Sequence, residues 1–272
     1  MARRWNIAEE DLKRKELLVL YVKENRTISE ISRILSLSES AVYDRLLRLN
    51  IQTLRHKKPG FNNVNLKVTV PDKYTGELAE FIGILLGDGH LSPTQVTVTL
   101  GTKENTYAEY VIRLMKNLFN VKPKIIFSKS GYAVIYLGSA PIVRWLLSMG
   151  LAFNKVAAQV SVPEWCLRKK TFMIGMMRGL IDTDGSIYKL KSGSIQISFC
   201  NRSRPLLESV RLILLRLGFN PSRVGEKNIY LTRKDDVYKY VTEIGFKNPK
   251  HKSRYLMFTN MGGSYSGNYS RL

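Results

Sequence analysis

Hydrophobic residues recur at helical spacing through the first fifty positions of the chain. They predict a first helix over residues 8–24 and two shorter helices within residues 27–51, TISEISRILSLSESAVYDRLLRLNI. Thr27 and Glu30 have the spacing of a capping box, and Ser38 is placed to cap the second short helix. Two short helices joined by a tight turn predict a helix-turn-helix.

The predicted helix-turn-helix domain, assigned to residues 1–56, resembles the small DNA-binding modules of bacterial and archaeal regulators. In such a module the second helix enters the major groove by its N-terminal half. The residues expected to read bases are therefore Ser40, Tyr43 and Arg45. A protein-binding role stays open, because Glu39 and Asp44 would repel phosphate groups.

Two segments lack the periodicity of helices and strands. Residues 57–72 carry Pro, Gly, Asn and basic residues, and we expect a linker that can also touch DNA. Residues 261–272 are rich in Gly, Ser and Tyr, and we expect a flexible tail there.

Between the linker and the tail, the pattern of the chain occurs twice. FIGILLGDG (81–89) and MRGLIDTDG (177–185) align without gaps, at a separation of 96 residues. The alignment predicts a pseudo-dimer whose first repeat covers residues 73–160 and whose second covers residues 161–260.

Each repeat is expected to have the element order α-β-β-α-β-β-α. Residues 96–100 and 194–199 alternate as half-buried strands do, and helical patterns follow around 103–119 and 202–217. The remaining strand pairs are predicted at KIIF and YAVIYLG in the first repeat and at SRV and NIYLT in the second. A closing helix ends each repeat near a glycine.

The charge of the chain changes the picture from a generic globular protein to a polyanion-binding one. The formal net charge is +21, and residues 57–272 carry +18 of it. A folded body this positive favours nucleic acid as its partner, although a ribosome-associated protein or a surface charged for solubility are alternatives.

Composition excludes several other classes. Hydrophobic residues make up 44% of the chain, enough for a buried core, but no apolar run approaches the roughly 18 residues of a membrane span. The N-terminal sequence lacks the features of a secretory signal. Two cysteines cannot build a disulfide framework or a zinc cluster. We therefore expect a cytoplasmic, nucleoid-associated protein.

The two nine-residue segments resemble the LAGLIDADG motif, and their arrangement is similar to that of single-chain homing endonucleases, especially archaeal ones. The resemblance covers residues 73–258, about two thirds of the chain. It implies an α+β fold, a pseudo-two-fold pair of αββαββα repeats with saddle-shaped antiparallel sheets, here preceded by a small all-α helix-turn-helix domain. It also implies a double-strand cut in a long, roughly palindromic DNA target.

Small residues lie four positions apart in both motifs, at Gly83 and Gly87 and at Gly179 and Thr183. A glycine inside a helix costs about 1 kcal/mol relative to alanine, so this spacing in both copies needs a reason. Close approach of two helix backbones supplies one. We expect the motif helices to pack against each other between the repeats.

Asp88 and Asp184 are expected to close the two motif helices, and they are the candidate catalytic carboxylates. An isolated Asp-Gly pair is more often a turn, but here both repeats keep the aspartate at the equivalent place. Hard oxygen ligands suit Mg²⁺. By resemblance the two aspartates bind Mg²⁺, or another divalent cation such as Mn²⁺, and Gly87 and Thr183 are further metal-ligating positions.

Similar enzymes place a lysine after the last helix of each repeat, near the scissile phosphate. Lys155 and Lys252 occupy that region, with Lys250 as a competing choice in the second repeat. Each could equally be an ordinary phosphate contact. The motifs depart from one another at one acidic position, where the first has Leu86 and the second Asp182; in the family that position is chiefly structural.

The sheets are expected to straddle the duplex, because a two-stranded β-ribbon fits the major groove. Candidate base-reading residues on alternate strand positions are Thr97, Thr99, Gln196, Ser198, Tyr230 and Thr232. Candidate phosphate contacts are Lys189, Lys191, Arg202, Arg204 and Arg233.

The function favoured by these features is a monomeric, Mg²⁺-dependent endonuclease that promotes the mobility of an intron or intein. The initial Met and the absence of a splicing-junction sequence favour a freestanding or intron-encoded protein. A DNA-binding regulator that kept the scaffold and lost cutting is the first alternative, and the helix-turn-helix favours it. An RNA-splicing maturase, bound to structured RNA, is the second.

Overall fold

The computed structural model describes most of the chain, namely residues 7–24, 26–49, 51, 68–101, 103–128 and 131–260. The chain divides into two compact units, Met1–Asn62 and Asn63–Leu272. Most of the predicted linker and all of the predicted tail lie outside the described residues.

The first unit contains the three predicted helices. Helix α1, Ile7–Leu17, continues as a π-helical turn over Leu18–Lys23, and it is followed by α2, Ile28–Ile34, and α3, Glu39–Arg48. The apolar stripes of these helices enclose a small core formed by Leu17, Tyr21, Ile31, Val42, Leu46, Leu49 and Ile51.

Both predicted helix caps in this unit are confirmed. The Thr27 hydroxyl accepts a hydrogen bond from the Glu30 backbone N–H at 3.2 Å, and the Glu30 carboxylate accepts one from the Thr27 backbone N–H at 2.8 Å. The Ser38 hydroxyl accepts from the Ala41 backbone N–H at 3.2 Å. These side chains satisfy N–H groups that have no partner inside a helix, which fixes where α2 and α3 begin.

Arg45 does not lie where base reading requires it. It follows Val42 by three residues, so it falls on the same stripe of α3 as the core residues, and only 8% of it is exposed. Ser40 is exposed and Tyr43 half-buried on the same helix. The expectation that Arg45 reads bases is therefore corrected.

The second unit begins with the first repeat, which has the predicted order of elements. Its elements are α4 (Gly76–Leu86), β1 (Gly89–Ser92), β2 (Gln95–Gly101), α5 (Asn105–Phe119), β3 (Lys124–Phe127), β4 (Tyr132–Gly138) and α6 (Ala140–Ser148). The strands form an antiparallel sheet in the order β1-β2-β4-β3.

The second repeat follows a short 3-10 helix at Glu164–Leu167. Its elements are α7 (Lys170–Asp184), β5 (Gly185–Lys189), β6 (Ile195–Cys200), α8 (Arg204–Arg216), β7 (Asn228–Leu231), α9 (Lys234–Lys239), a π-helical continuation (Tyr240–Ile244) and α10 (Pro249–Asn260). The strands form an antiparallel sheet in the order β5-β6-β7.

The predicted strand at SRV, residues 222–224, is absent from this described part of the second repeat. Ser222 donates its backbone N–H to the Tyr230 carbonyl at 2.9 Å, but its side-chain hydroxyl, not its carbonyl, accepts from the Tyr230 backbone N–H at 3.1 Å. A side chain thus replaces one rung of the ladder, and the second sheet has three strands. The predicted α+β class with antiparallel sheets is confirmed.

One hydrophobic core runs through both repeats and contains the apolar residues of α4 and α7. The inner face of each sheet covers it: Val96, Val98 and Leu100 are buried on β2, and Ile197 and Phe199 on β6. The alternate residues of the same strands point away from the core. The outer faces of the sheets are therefore available to a ligand.

Candidate functional site

The two motif helices, α4 and α7, pack with their backbones in contact, as their small residues predict. A Cβ added at Gly83 would lie 2.6 Å from the Met176 carbonyl oxygen and 3.2 Å from Gly179 Cα. A Cβ added at Gly87 would lie 2.6 Å from Thr183 Cβ and 3.5 Å from the carboxyl carbon of Asp184. The C-terminal ends of the two motifs are thus held together, with Asp184 beside the first motif.

The two aspartates occupy slightly different backbone positions. Asp184 is the last residue of α7, whereas α4 ends at Leu86, so Asp88 lies two residues beyond the helix. The Asp88 carbonyl accepts a hydrogen bond from the Thr99 backbone N–H at 3.1 Å, which ties this residue to β2. The expectation that both aspartates close a helix holds for Asp184 only.

Burial makes both carboxylates unusually weak acids. It is the main cause that raises the pKa of Asp88 to about 6, and the neighbouring carboxylates of Asp184 and Glu104 raise it further. Burial also raises the pKa of Asp184, while a hydrogen bond from Asn201 Nδ2 to Asp184 Oδ2 at 2.8 Å and the charge of Lys155 oppose that rise. Two partly desolvated like charges of this kind favour a bound cation.

Lys155 closes the C-terminal end of α4. Its ammonium donates to the carbonyl oxygens of Leu85 at 3.0 Å and Leu86 at 3.1 Å, and also to that of Gly87. These carbonyls form the negative end of the helix dipole, where a cation is stabilising. Burial lowers the pKa of Lys155, and the charges of Asp184 and Asp88 oppose that shift. The predicted lysine therefore lies at the paired aspartates.

Gly87 and Thr183, predicted as further metal-ligating positions, are engaged otherwise. The Gly87 carbonyl accepts from the Lys155 ammonium, a cation already held at that oxygen. The Thr183 hydroxyl lies 2.9 Å from the Gly179 carbonyl oxygen and 3.1 Å from that of Leu180, both in its own helix. We therefore limit the proposed metal ligands to the two aspartates.

In the second repeat, Lys250 rather than Lys252 lies in the charge cluster. Lys250 Nζ is 3.2 Å from Glu104 Oε1, and its charge acts on Asp88. Asn248 Nδ2 donates to the same Glu104 oxygen at 2.7 Å and to the Asp182 carbonyl at 3.1 Å. This network joins the start of α5 in the first repeat to the start of α10 in the second, and Lys252 is exposed on α10.

Asp182, the acidic residue with no counterpart in the first motif, is buried and supports the backbone. Only 1% of it is exposed, and its Oδ2 accepts from the Lys247 backbone N–H at 2.8 Å. Burial raises its pKa to about 8. Leu86, which occupies the equivalent position, is part of the hydrophobic core. A structural role for Asp182, as the resemblance implies, agrees with this geometry.

The structure also brings together polar residues that the sequence analysis did not single out. Arg178 Nη1 lies 2.9 Å from Glu80 Oε2, and the Tyr110 hydroxyl donates to Glu80 Oε1 at 2.5 Å. Asn201, at the end of β6, holds Asp184. Glu80 and Arg178 are charged residues within largely apolar motif helices, and this feature of the sequence could have indicated them as functional candidates. No local sequence pattern indicates Asn201.

The outer faces of the sheets carry the residues predicted to read bases. On β2, Thr99 is exposed and Thr97 half-buried, and the Thr97 hydroxyl donates to the His90 carbonyl at 3.2 Å. On the second sheet, Gln196 and Tyr230 are half-buried, Thr232 is exposed just after β7, and Ser198 is nearly covered. The predicted phosphate contacts are all exposed side chains: Lys189, Lys191, Arg202, Arg204 and Arg233.

Two kinds of feature are absent from the described residues. No helix among them is both long and apolar enough to cross a membrane. In the same part of the chain, no group of three or more His, Cys, Asp or Glu side chains has the geometry to hold a metal ion.

Two family profiles match the chain. The LAGLIDADG-like domain matches residues 171–245, and the WhiA LAGLIDADG-like domain matches residues 1–45 and 79–159. The chain therefore contains LAGLIDADG-like domains, one of them of the WhiA type. The resemblance carried by the two nine-residue motifs is confirmed at this level.

Several curated proteins contain a similar segment. They include the glutamine–fructose-6-phosphate aminotransferase of Methanocaldococcus jannaschii, 27% identical over 57% of this chain and 14% of that protein. An A-type ATP synthase subunit of Pyrococcus abyssi is 29% identical over 48% of this chain and 13% of its own length. A DNA gyrase subunit of Mycobacterium gordonae is 32% identical over 38% of this chain and 20% of its own length. The chain thus matches only a tenth to a fifth of the length of such relatives.

Solved structures with a related fold include two proteins. I-DmoI, in complex with DNA and Mn, is 20% identical, with a TM-score of 0.48, over 62% of this chain and 96% of that one. The N-terminal LAGLIDADG domain of DUF199/WhiA is 17% identical, with a TM-score of 0.47, over 65% of this chain and 85% of that one.

Proposed function

We propose that this protein is a sequence-specific endonuclease that cuts both strands of double-stranded DNA with the help of divalent cations. The observation that carries the proposal is the pairing of Asp184, the last residue of α7, with Asp88, two residues beyond α4, where these two helices are in backbone contact. Such a pair costs stability through desolvation and mutual repulsion, and a protein that only packs its helices has no use for it.

The paired carboxylates fit a hard divalent cation. Asp88 and Asp184 offer oxygen ligands, which Mg²⁺ and Mn²⁺ prefer, and Mg²⁺ keeps several waters and binds phosphate oxygens as well. A partial shell from the protein suits a site that DNA phosphates complete. When bound, the cations would stabilise the attacking water and the departing 3′ oxygen of a phosphodiester.

The chain's own residues would orient the reacting groups. Asn201 holds one oxygen of Asp184, which fixes the direction of that carboxylate. Lys155, anchored on three carbonyls at the end of α4, and Lys250, beside Glu104, would supply two positive charges to a phosphate bound at the paired aspartates. The exposed basic residues of the sheets and loops would hold the flanking backbone.

The distribution of relatives supports a mobile element. The names of the matched proteins describe an aminotransferase, an ATP synthase, a DNA gyrase and a replication factor, which are four different kinds of protein. In each, the similarity is confined to a small part of the protein. A homing module carried by unrelated hosts accounts for both facts, and it favours the homing endonuclease within the family.

The test is a cleavage assay on a pooled DNA library with Mg²⁺. Wild-type protein is compared with Asp88→Asn and Asp184→Asn, and with Asp235→Asn, which changes an exposed aspartate on α9. We expect metal-dependent double-strand cuts that fall at least about 100-fold in the first two variants and persist in the third. Cutting that survives in both site variants would refute the assignment.

A non-cutting regulator is the second candidate, and one observation favours it. The WhiA-type profile matches residues 1–45 as well as part of the first repeat, so it includes most of the helix-turn-helix unit. Salt-sensitive DNA binding without cleavage by the wild type, in Mg²⁺ and in Mn²⁺, would select this alternative. The two aspartates would then be remnants of an earlier activity.

A further inference from the structure

The outer face of the first sheet carries an exposed apolar row. Thr99 on β2 pairs with Val134 on β4, and Val134 pairs with Ile126 on β3, so these three side chains lie side by side across the sheet. Ile126 is 54% exposed and Val134 is half-buried. Tyr132 and Tyr136, two positions before and after Val134, extend the same face.

The outer face of the second sheet is built differently. Its outward positions on β5, β6 and β7 are Ser186, Tyr188, Gln196, Ser198, Cys200, Asn228 and Tyr230. No aliphatic side chain is among these seven described positions. The Tyr188 hydroxyl donates to Gln196 Oε1, and Gln196 Nε2 donates to the Thr232 hydroxyl at 2.7 Å. Gln196 is thus held at both ends of its amide.

Strand stability does not explain the difference between the two faces. β-Branched residues favour strands, but the second sheet forms the same kind of antiparallel ladder with polar residues outward. An exposed isoleucine on an edge strand is also an aggregation hazard, which proteins usually avoid. The apolar row therefore needs a ligand that covers it.

The charge of the surrounding unit indicates what that ligand is. Residues 63–272 carry 30 basic and 14 acidic side chains, a net of +16, which favours a polyanion. In the major groove of DNA, the C5 methyl group of thymine is the apolar feature among the hydrogen-bonding edges of the bases. A row of aliphatic and threonine methyl groups is complementary to it.

We infer that the two half-sites of the target are recognised by different chemistry, an inference that rests on the proposed DNA binding. The half-site facing the first sheet is rich in thymine, whose methyl groups pack on Thr99, Val134 and Ile126. The half-site facing the second sheet is read by hydrogen bonds, with Gln196 pre-oriented to pair with an adenine through the N–H and lone pair that its neighbours leave free.

The test compares thymine with deoxyuridine, which lacks only the methyl group. Duplexes that bind the protein without divalent cations are first selected from a random library. Cys200 then orients the complex: it is exposed on the outer face of the second sheet, whereas the other cysteine, Cys166, is buried. Disulfide exchange between Cys200 and a tethered thiol on the DNA identifies the half-site facing that sheet.

Deoxyuridine is next introduced into one half-site at a time. We expect a loss of affinity of about fourfold per contacted methyl in the half-site facing the first sheet, the value for one buried methyl group. We expect a loss of less than about twofold in total in the other half-site, where hydrogen bonds carry the recognition. A half-site without thymine at the first sheet, or equal losses in both half-sites, would overturn the inference.

Two variants assign the effect to the residues. Ile126→Ser, combined with Val134→Ser, should reduce the difference between thymine and deoxyuridine to the part that Thr99 contributes. Gln196→Ala is the matched change on the other sheet, and it should weaken binding while leaving that difference intact. Thermal unfolding checks that each variant is folded, and the deoxyuridine comparison on the wild type does not depend on any variant.

The outcome separates this inference from the proposed function. If the protein binds no duplex in a selective and salt-sensitive way, the proposed DNA recognition itself is overturned. Binding and cleavage that are insensitive to the methyl groups would leave the endonuclease standing and overturn only the thymine-reading face.

Discussion

At the scale of single residues, the paired aspartates that are proposed to act in function lower the stability of the folded protein. The folded protein raises the pKa of Asp88 from 3.8 to about 6, so between these pH values the folded chain holds a proton that the unfolded chain has released. The contribution of this group to stability therefore decreases as the pH rises through that window, and it stays unfavourable above it.

Replacing Asp88 by asparagine tests this conflict. The variant should lose cleavage but gain about 1–3 kcal/mol in its free energy of unfolding at neutral pH, because the buried charge is gone. Below about pH 3, where the wild-type group is protonated in both the folded and the unfolded state, the gain should vanish. Urea unfolding of the variant and the wild type, at neutral pH and at the acidic pH, measures this gain in the free energy of unfolding. A variant that is equally destabilised at both would show that Asp88 serves packing.

Lys155 and Lys252 provide a second test at this scale. Lys155→Met leaves the carbonyls of α4 without their ammonium, and we expect a loss of about 1–3 kcal/mol in the free energy of unfolding. Lys252→Met changes an exposed residue on α10 and should stay within about 0.5 kcal/mol. Denaturant titrations of the two variants decide it, and similar values for both would remove Lys155 from its capping role.

At the scale of secondary-structure elements, the glycines of the motif helices are positions of contact rather than flexibility. Helix α4 meets α7 where Gly83 faces Gly179, and no room is left for a methyl group. The shared face decides how close the two aspartates come, because Asp184 is the last residue of α7 and Asp88 lies two residues beyond α4. Helix packing and site geometry are therefore the same feature of the fold.

Gly83→Ala measures the tightness of this contact. Alanine is the better helix former by about 1 kcal/mol, so a loosely packed helix would gain stability. Here the added Cβ would lie 2.6 Å from the Met176 carbonyl oxygen, and we expect instead a loss of about 1–3 kcal/mol. Gly138→Ala is the control, since its Cβ would meet nothing nearer than 4.0 Å. A stabilised Gly83→Ala protein would contradict the close packing.

At the scale of the whole molecule, a partly buried ion pair joins the two repeats. Glu80 of the first repeat pairs with Arg178 of the second, and only 2% of Glu80 is exposed. In the alignment of the repeats, Glu80 corresponds to Met176 and Arg178 to Ile82. Two like copies would therefore bury two like charges, which favours the pairing of unlike repeats.

Glu80→Leu should cost about 2–4 kcal/mol in the free energy of unfolding, because it leaves the half-buried Arg178 guanidinium without its carboxylate. Adding Arg178→Met should recover part of that loss, and a double-mutant cycle measures the coupling. The exposed pair Arg204–Glu208 is the comparison, and breaking it should cost about 0–1 kcal/mol. If the effects of the changes at Glu80 and Arg178 are additive, the ion pair does not determine how the two repeats pair with each other.

Local sequence patterns were sufficient to predict much of the structure of this protein. The helix caps and apolar stripes of the helix-turn-helix, the two motifs with their aspartates, and the alternation that turns Thr99 outward all depend on residues a few positions apart. Such features follow from the periods of helices and strands, so a single sequence predicts them. The net charge likewise needs no structure to indicate a polyanionic partner.

Tertiary structure alone decided the rest. Glu80 and Arg178 are 98 positions apart, and Asn248 and Glu104 are 144, so no local spacing links them. The preference for Lys250 over Lys252, the burial of Arg45, and the Lys155 ammonium at the Gly87 carbonyl depend on which elements pack together. The rise in the pKa of Asp88 has the same origin, because desolvation is a property of the folded surroundings and not of the residue.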